Sequence, residues 1–371
     1  MPPDTLEFEE PIAVLLKEIE ALTMLPTTPE RQGSIDSLYA RIDSIRADIY
    51  KNLTPWQRVL VARHPNRPTV LDYVSRLFTD FVEISGDRRF ADDHAIVTGF
   101  ARYKDEPVLV VGHHKGGGDT KQKIYRNFGY ARPEGYRKAL RAMKLAEKYQ
   151  RAVIAFIDTP AAYPGIESEE RGISEAIAVN LREMAALDAP IIVVVHGEGG
   201  SGGALGLAVG DRILMHEFAI YSVIPPEGCA AILWRDSGRK VEAAEALKLT
   251  APDLLRLGLV DEIVSEPAGG SHTNHDLAST LLDTALERAL SEVSAMDSST
   301  RLEARYLKWR KMGKVGIGES SRAASTANGW RCPNSQLPTN TTPDVGDWDM
   351  NPIGNWELSH DSTSLAAARV R

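Results

Sequence analysis

Cysteine is scarce: the 371 residues hold two, Cys229 and Cys332. Two cysteines exclude a disulfide scaffold and any four-cysteine zinc site made by this chain alone. Long apolar runs are missing as well. Stretches such as Ile191–Val195 fall far short of the ~20 residues that span a bilayer. There is no excess of positive charge, since 43 Lys and Arg face 51 Asp and Glu for a net charge of −8. That balance argues against an overall nucleic-acid-binding surface. The first ten residues carry neither a basic stretch nor an apolar one. No secretory signal is therefore expected, and a cytoplasmic protein is. What is present, 43% hydrophobic and 25% charged residues, is the mixture of an ordinary globular chain. No fixed-period repeat occurs.

The pattern changes along the chain. Ile12, Leu15, Leu16, Ile19 and Leu22, and then Ile35, Leu38, Ile42, Ile45 and Ile49, recur at helical spacing on either side of Pro26–Pro29. They predict two amphipathic helices. From Asp92 the pattern becomes alternating strands and helices. Ala95–Tyr103 and Pro107–Gly112 read as a hairpin turning at Lys104-Asp105-Glu106. Pro133–Tyr149 and Ser168–Leu187 read as helices, and Val153–Ile157 and Ile191–Val195 as buried strands. A small-residue helix is predicted over Gly202–Val209, and strands over Arg212–His216 and Ala219–Val223. Helices are predicted over Pro226–Trp234, Lys240–Leu247 and Ala251–Leu257, and then near Asn274–Ala295 and Ser299–Met312. Such alternation implies an α/β fold with parallel pairing. The division is a helical region 1–68, a central domain 69–297, a C-terminal helix 298–313 and a tail 314–371. The tail is rich in Ser, Thr, Asn, Gly and Pro and lacks periodicity, so disorder is expected, although Trp330, Trp348 and Trp356 lie in it.

Four segments have the composition of a site. In His196-Gly197-Glu198-Gly199-Gly200-Ser201-Gly202-Gly203-Ala204, a glycine run follows a buried strand and opens a helix. Glycines allow close backbone approach, and the first helical turn leaves amides unpaired. Fixed amides of this kind suit a developing oxyanion. Asp158-Thr159-Pro160-Ala161-Ala162-Tyr163-Pro164-Gly165 follows the preceding strand, where open parallel sheets bind ligands. Its prolines and glycine hold Tyr163. His113–Gly129 follows a third strand and carries Lys115, Lys121, Lys123 and Arg126 in an acidic chain. A local cationic cluster suits an anionic, phosphate-bearing ligand, although neither a P-loop nor a dinucleotide fingerprint is spelled out. The paired histidines lack a third ligand at suitable spacing, so no metal is expected. Finally, Ser222–Ala231 opens a helix at Pro226-Glu227-Gly228. Glu227 there is favoured by the helix dipole and is a candidate acid or base. Cys229 reads as a small buried residue.

Taken together, these stretches closely resemble the α subunits of bacterial acetyl-CoA carboxylase carboxyltransferases. The resemblance rests on Gly112-His113-His114-Lys115-Gly116, Arg126–Gly129, Pro133–Ala139, Asp158–Pro160 with Tyr163–Gly165, Glu169–Gly172, Gly197–Ala204 and Ser222–Ala230. It covers residues from near 6 to about 312. It implies a crotonase-like (ClpP/crotonase) fold, a spiral of ββα units. It also implies transfer of the carboxyl group from carboxybiotin, carried on a biotin carboxyl carrier protein, to acetyl-CoA. The product is malonyl-CoA for fatty acid synthesis. By motif position, Gly202 and Gly203 are the oxyanion donors and Gly199 and Gly200 shape the loop. Tyr163, Pro164, Gly165, Lys115, Lys121, Lys123, Arg126, Glu227 and Gly228 are implied to contact substrate. No cofactor is implied on this chain. A β subunit with a four-cysteine zinc ribbon completes the site in an α2β2 assembly, and biotin carboxylase joins the wider, ATP-dependent complex. Ala161 stands where the family usually has glycine, and nothing is carried over beyond residue 313.

Two other readings compete. Gly199-x-Ser201-x-Gly203 matches the nucleophile elbow of serine hydrolases, with Asp211, His216, Asp261 and His272 as triad candidates. A non-catalytic scaffold working through the N-terminal helices is the other.

Overall fold

The computed structural model describes residues 5–26, 28–313, 348–350 and 356–358. Helices α1 (Glu10–Thr23) and α2 (Pro29–Lys51) form the expected N-terminal pair. Ile12, Leu15 and Ile19 of the first bury against Ile42 of the second, flanked by Ile35, Leu38, Ile45 and Ile49. Proline at the first position of α2 sets the helical φ, and the Thr28 hydroxyl accepts the Arg31 amide. Two short helices follow that the periodicity did not reveal, α3 (Pro55–Ala62) and α4 (Val70–Leu77). Each has eight residues, about two turns, too few for a helical period to stand out.

Strand β1 (Thr79–Glu83) leads to the hairpin of β2 (Ile96–Tyr103) and β3 (Glu106–His113). The hairpin turns on two residues rather than three. Lys104 and Asp105 both take positive φ, which matches the twist of the paired strands. Then come α5 (Thr120–Tyr125), α6 (Pro133–Lys148), β4 (Ala152–Thr159), α7 (Ile166–Glu170) and α8 (Ile173–Ala186). The single helix expected over Ser168–Leu187 is therefore two, broken where Gly172 adopts φ 77°. The remaining elements are β5 (Ile191–Gly200), α9 (Ser201–Leu205), β6 (Arg212–His216), β7 (Ile220–Ser222), α10 (Pro226–Trp234) and α11 (Lys240–Leu247). After them come α12 (Ala251–Arg256), β8 (Glu262–Val264), α13 (His275–Ser294) and α14 (Ser298–Arg310).

The sheet runs β1-β2-β3-β4-β5-β6-β8, with β7 paired to the far end of β5. It is antiparallel up to β3 and parallel beyond. Both faces are covered, as a parallel sheet requires. Val153, Ala155 and Ile157 of β4 and Ile191, Val193 and Val195 of β5 point to one side. There Tyr136, Ala139, Ala142, Met143 and Ala146 of α6 and Ala176 and Met184 of α8 meet them. Ile154, Phe156, Ile192 and Val194 point to the other side, against Tyr73 and Val74 of α4 and Leu282, Leu286 and Val293 of α13. Alanines on α6 let that helix approach closely. α14 is pinned by Arg305, whose guanidinium is fully buried. It makes paired 2.8 Å bonds to Asp211 and donates to the carbonyls of Met184, Leu187 and Ala189.

These residues form one compact unit ending at Met312. In the second unit β9 (Trp348–Met350) pairs antiparallel with β10 (Trp356–Leu358), strands that the sequence pattern did not suggest. The disorder expected for 314–371 otherwise lies outside the described residues. Among the described residues, no helix is long and apolar enough to cross a membrane.

Candidate active site

The carboxyl ends of β3, β4 and β5 deliver three of the four predicted segments to one edge of the sheet, the place where open parallel sheets bind ligands. The glycine run is not a loop before the helix. β5 continues through it to Gly200, because Glu198, Gly199 and Gly200 pair with Ile220, Tyr221 and Ser222 of β7. The helix that follows is one short turn, α9, rather than the longer helix expected to Val209.

Ser201, the hinge between strand and helix, takes φ 50°, a conformation that costs a non-glycine residue energy and concentrates at functional sites. Beyond it, the amides of Gly202 and Gly203 lie in the first helical turn, where no intrahelical acceptor exists. No hydrogen bond from either amide occurs in the turns, loops and caps of the described residues. The turn is held from behind. Tyr136 Oη donates to the Gly203 carbonyl at 2.9 Å, and Asn180 Nδ2 donates to the Gly206 carbonyl at 3.0 Å. Gly203 packs on the Ala161–Ala162 backbone so closely that a Cβ would lie 2.5 Å from the Ala161 carbonyl carbon. Ala161 itself does not take positive φ, so an alanine fits that position without strain.

Two cavities flank this junction. An apolar one of about 280 Å³ is lined by Ser201, Gly202, Leu205, Tyr221, Val223 and Trp309, among others. A polar one of about 580 Å³ is lined by Arg63, Lys115, Lys123, Tyr130, Asp158, Glu198 and Glu227, among others. The polar cavity centres on an ion network. Lys115 Nζ sits 2.8 Å from Asp158 Oδ1 and 2.9 Å from Glu198 Oε2. Arg63 joins Glu198 at 2.8 Å and Glu227 at 2.7 Å. Burial would raise the Asp158 carboxyl, but the Lys115 ammonium and the Glu198 amide help to outweigh it and hold the group below the ordinary carboxylate range. The same opposition, of burial against Lys115 and Arg63, holds Glu198 low. Burial pushes His113 down to about 3 and His196 down to about 4, so both rings are neutral at physiological pH.

Lys115, Lys123 and Glu227 therefore share the polar cavity, and Lys115 is not a free cation. Gly202 faces the apolar cavity. Gly199 and Gly200 are buried, against Tyr221 and the Pro160 carbonyl respectively. Gly228 follows Glu227 in the first turn of α10. The other predicted residues line neither cavity. Arg126 donates to the His94 carbonyl and lies over the Tyr125 ring, and Lys121 is exposed on α5. Tyr163 lies under the Arg132 guanidinium at 5.0 Å and heads the Pro164-Gly165 turn into α7. Asp158 and Glu198 lie within the predicted segments without being among the predicted site residues, and Arg63 and Arg67 lie outside those segments. An acid inside a buried glycine strand was the available signal, because such a charge needs a partner.

The hydrolase reading fails on geometry. The apolar cavity at Ser201 holds no acid or histidine. Asp211 binds Arg305, Asp261 pairs with Lys308, His216 faces Ser271, and His272 stacks on His64. Among the described residues, no cluster of three His, Cys, Asp or Glu could hold a metal ion.

Residues 5–313 match the model of the family described as acetyl co-enzyme A carboxylase carboxyltransferase-like. A relative from Geobacter metallireducens, described as acetyl-coenzyme A carboxylase carboxyl transferase subunit alpha, is 56% identical over 310 residues. The match covers 83% of this chain and 97% of the relative. A relative of the same description from a Geobacillus strain is 54% identical over 314 residues, covering 84% and 96%. Among solved structures, transcarboxylase 12S is 21% identical with a TM-score of 0.47, over 59% of this chain and 42% of that one. The chain belongs to the acetyl co-enzyme A carboxylase carboxyltransferase-like family.

Proposed function

We propose that the chain acts as the α subunit of an acetyl-CoA carboxylase carboxyltransferase. With a β subunit it transfers the carboxyl group of carboxybiotin to acetyl-CoA. Carboxybiotin releases CO2 and leaves charge on its ureido oxygen. The acetyl methyl group gives up a proton, biotin taking it, and the enolate attacks CO2 to form malonyl-CoA. Each half of the reaction develops an oxyanion, and fixed amides stabilise such charge without reorganising. The observation that carries this reading is the strained junction at Ser201, which opens the helical turn of Gly202 and Gly203 with Gly202 lining the apolar cavity. These two amides serve the biotin side. The apolar cavity at Gly202 suits a ring system with little charge. Lys121 and Lys123 suit CoA phosphates, and Tyr163, Pro164, Gly165, Glu227 and Gly228 border the substrates.

The partner supplies the second set of donors and the zinc ribbon, in an α2β2 cytoplasmic assembly served by a biotin carboxyl carrier protein and biotin carboxylase. Val223, Ile232 and Leu233 are 74%, 72% and 57% exposed, which supports a partner surface next to the site. Co-expression with a candidate β subunit, zinc analysis and an assay of malonyl-CoA formation test the reading. Activity is expected only in the complex, and full activity of the isolated chain would refute the shared site.

A further inference from the structure

The ladder between β4 and β5 is regular from Val153↔Ile191 to Ile157↔Val195 and then jumps to Thr159↔Gly199. Two extra residues of β5 are accommodated at that jump. The strand also changes partner there, from β6 at Val195↔Met215 to β7 at Glu198↔Ile220. Such a bulge redirects a strand and leaves backbone groups outside the ladder. Here charged side chains satisfy them. Arg67 Nε donates to the His196 carbonyl at 2.5 Å, and Asp158 Oδ1 accepts the Glu198 amide at 2.9 Å. The Asp158 carboxylate lies flat against the strand, and a Cβ on Gly197 would be 2.6 Å from its Cγ.

We propose that Asp158 and Lys115 are positioning residues for carboxyl transfer. They pin the bulge that aims the Gly202 and Gly203 amides. This rests on the function proposed above. Lys115 bridges Asp158 to the Glu198 side chain, so one ammonium ties the β3, β4 and β5 ends together. Asp158 is faced by Lys115, His113 and His114 from β3 and the residues after it. Glu198 and His196 of β5 face it as well, as do Arg67 from the loop between α3 and α4 and Tyr73 from α4. Of these, Lys115 is the cation paired with Asp158, at 2.8 Å, and the strongest charge that holds it ionised.

The test uses the full chain assembled with its β subunit. Asp158→Asn keeps an oxygen for the Glu198 amide and removes the charge facing Lys115. Turnover is expected to fall about 100-fold, the cost of a displacement near 1 Å. KM for acetyl-CoA and for carboxybiotin should stay within about twofold. Lys115→Met takes the shared cation away, so the Asp158 carboxyl titrates higher. The acid limb of the kcat profile then moves to higher pH. A purely structural role would lower activity equally at all pH values and leave the limb in place. An unshifted limb in Lys115→Met, or wild-type kcat in Asp158→Asn, overturns the inference. Should Asp158→Asn fail to fold, the Lys115→Met profile decides alone. An inactive wild-type complex would instead overturn the proposed function.

Discussion

Gly203→Ala is the most incisive substitution, because the structure sets its size. The added Cβ would lie 2.5 Å from the Ala161 carbonyl carbon and 3.0 Å from the Ala161 Cα, while ordinary contact begins at 3.4 Å. The neighbours are backbone atoms and have no rotamer to yield. The Thr159 hydroxyl also anchors their loop, lying within donating distance of the Gly129 carbonyl at 2.7 Å and the Ala161 carbonyl at 2.9 Å, its one proton serving either. The α9 turn must therefore retreat by about 1 Å, and its amides with it. Misplacement of that size costs about 100-fold in rate, or about 2.7 kcal/mol, close to the ~3 kcal/mol typical of losing one oxyanion donor. Overpacking should cost a further ~1–3 kcal/mol of stability.

Gly202→Ala is the internal control. Its Cβ would meet nothing nearer than Ile177 Cδ1 at 4.0 Å, so the thermal stability of the fold should survive. Initial rates of carboxyl transfer by the assembled complex, with thermal melting of each variant, read both quantities. Wild-type turnover in Gly203→Ala would refute the argument. Equal losses of thermal stability in both variants would also refute it, since crowding at Gly203 would then not be the cause.

Arg305→Met should cost about 3–5 kcal/mol, because Asp211 and three carbonyls lose a buried cation. Urea unfolding would measure it, and a change below 1 kcal/mol would contradict the pinning of α14. Glu266, fully buried, is desolvated, which would raise its carboxyl, yet Arg67 outweighs this and holds it at about 2. A lowered carboxylate contributes stability that is complete above its unfolded value near 4.5 and is lost as pH falls toward 2. The contribution is about 3 kcal/mol. Unfolding free energies between pH 5 and 2.5 should be flatter by about 2 kcal/mol in an Arg67→Met/Glu266→Gln variant, and equal slopes would reject the linkage.

The chain's local chemistry was legible wherever one residue type repeats with a clear physical demand. Continuous β-branched runs such as Ile191–Val195 could only be buried strands. Pro133 and Glu134 marked a helix start. The glycine run that ends β5 announced close backbone approach from composition alone. Short elements escaped, since α3 and α4 are too brief for periodicity, and Gly172 broke a helix that its neighbours' spacing alone would continue.

The amino-acid pattern by itself determined the α/β class, the order of the long elements and the identity of the glycine segment, because these depend on neighbours a few residues apart. Only the tertiary structure decided that β5 runs through the glycines, that it bulges at His196–Glu198, and that Ser201 lacks a triad. Those outcomes depend on groups far apart in the chain. Arg63 and Arg67 reach over from the segment between α3 and α4, Lys115 from the end of β3, and Asp158 from the end of β4. A buried charge takes its partner from whatever the fold brings within about 3 Å, and no spacing along the sequence encodes that distance.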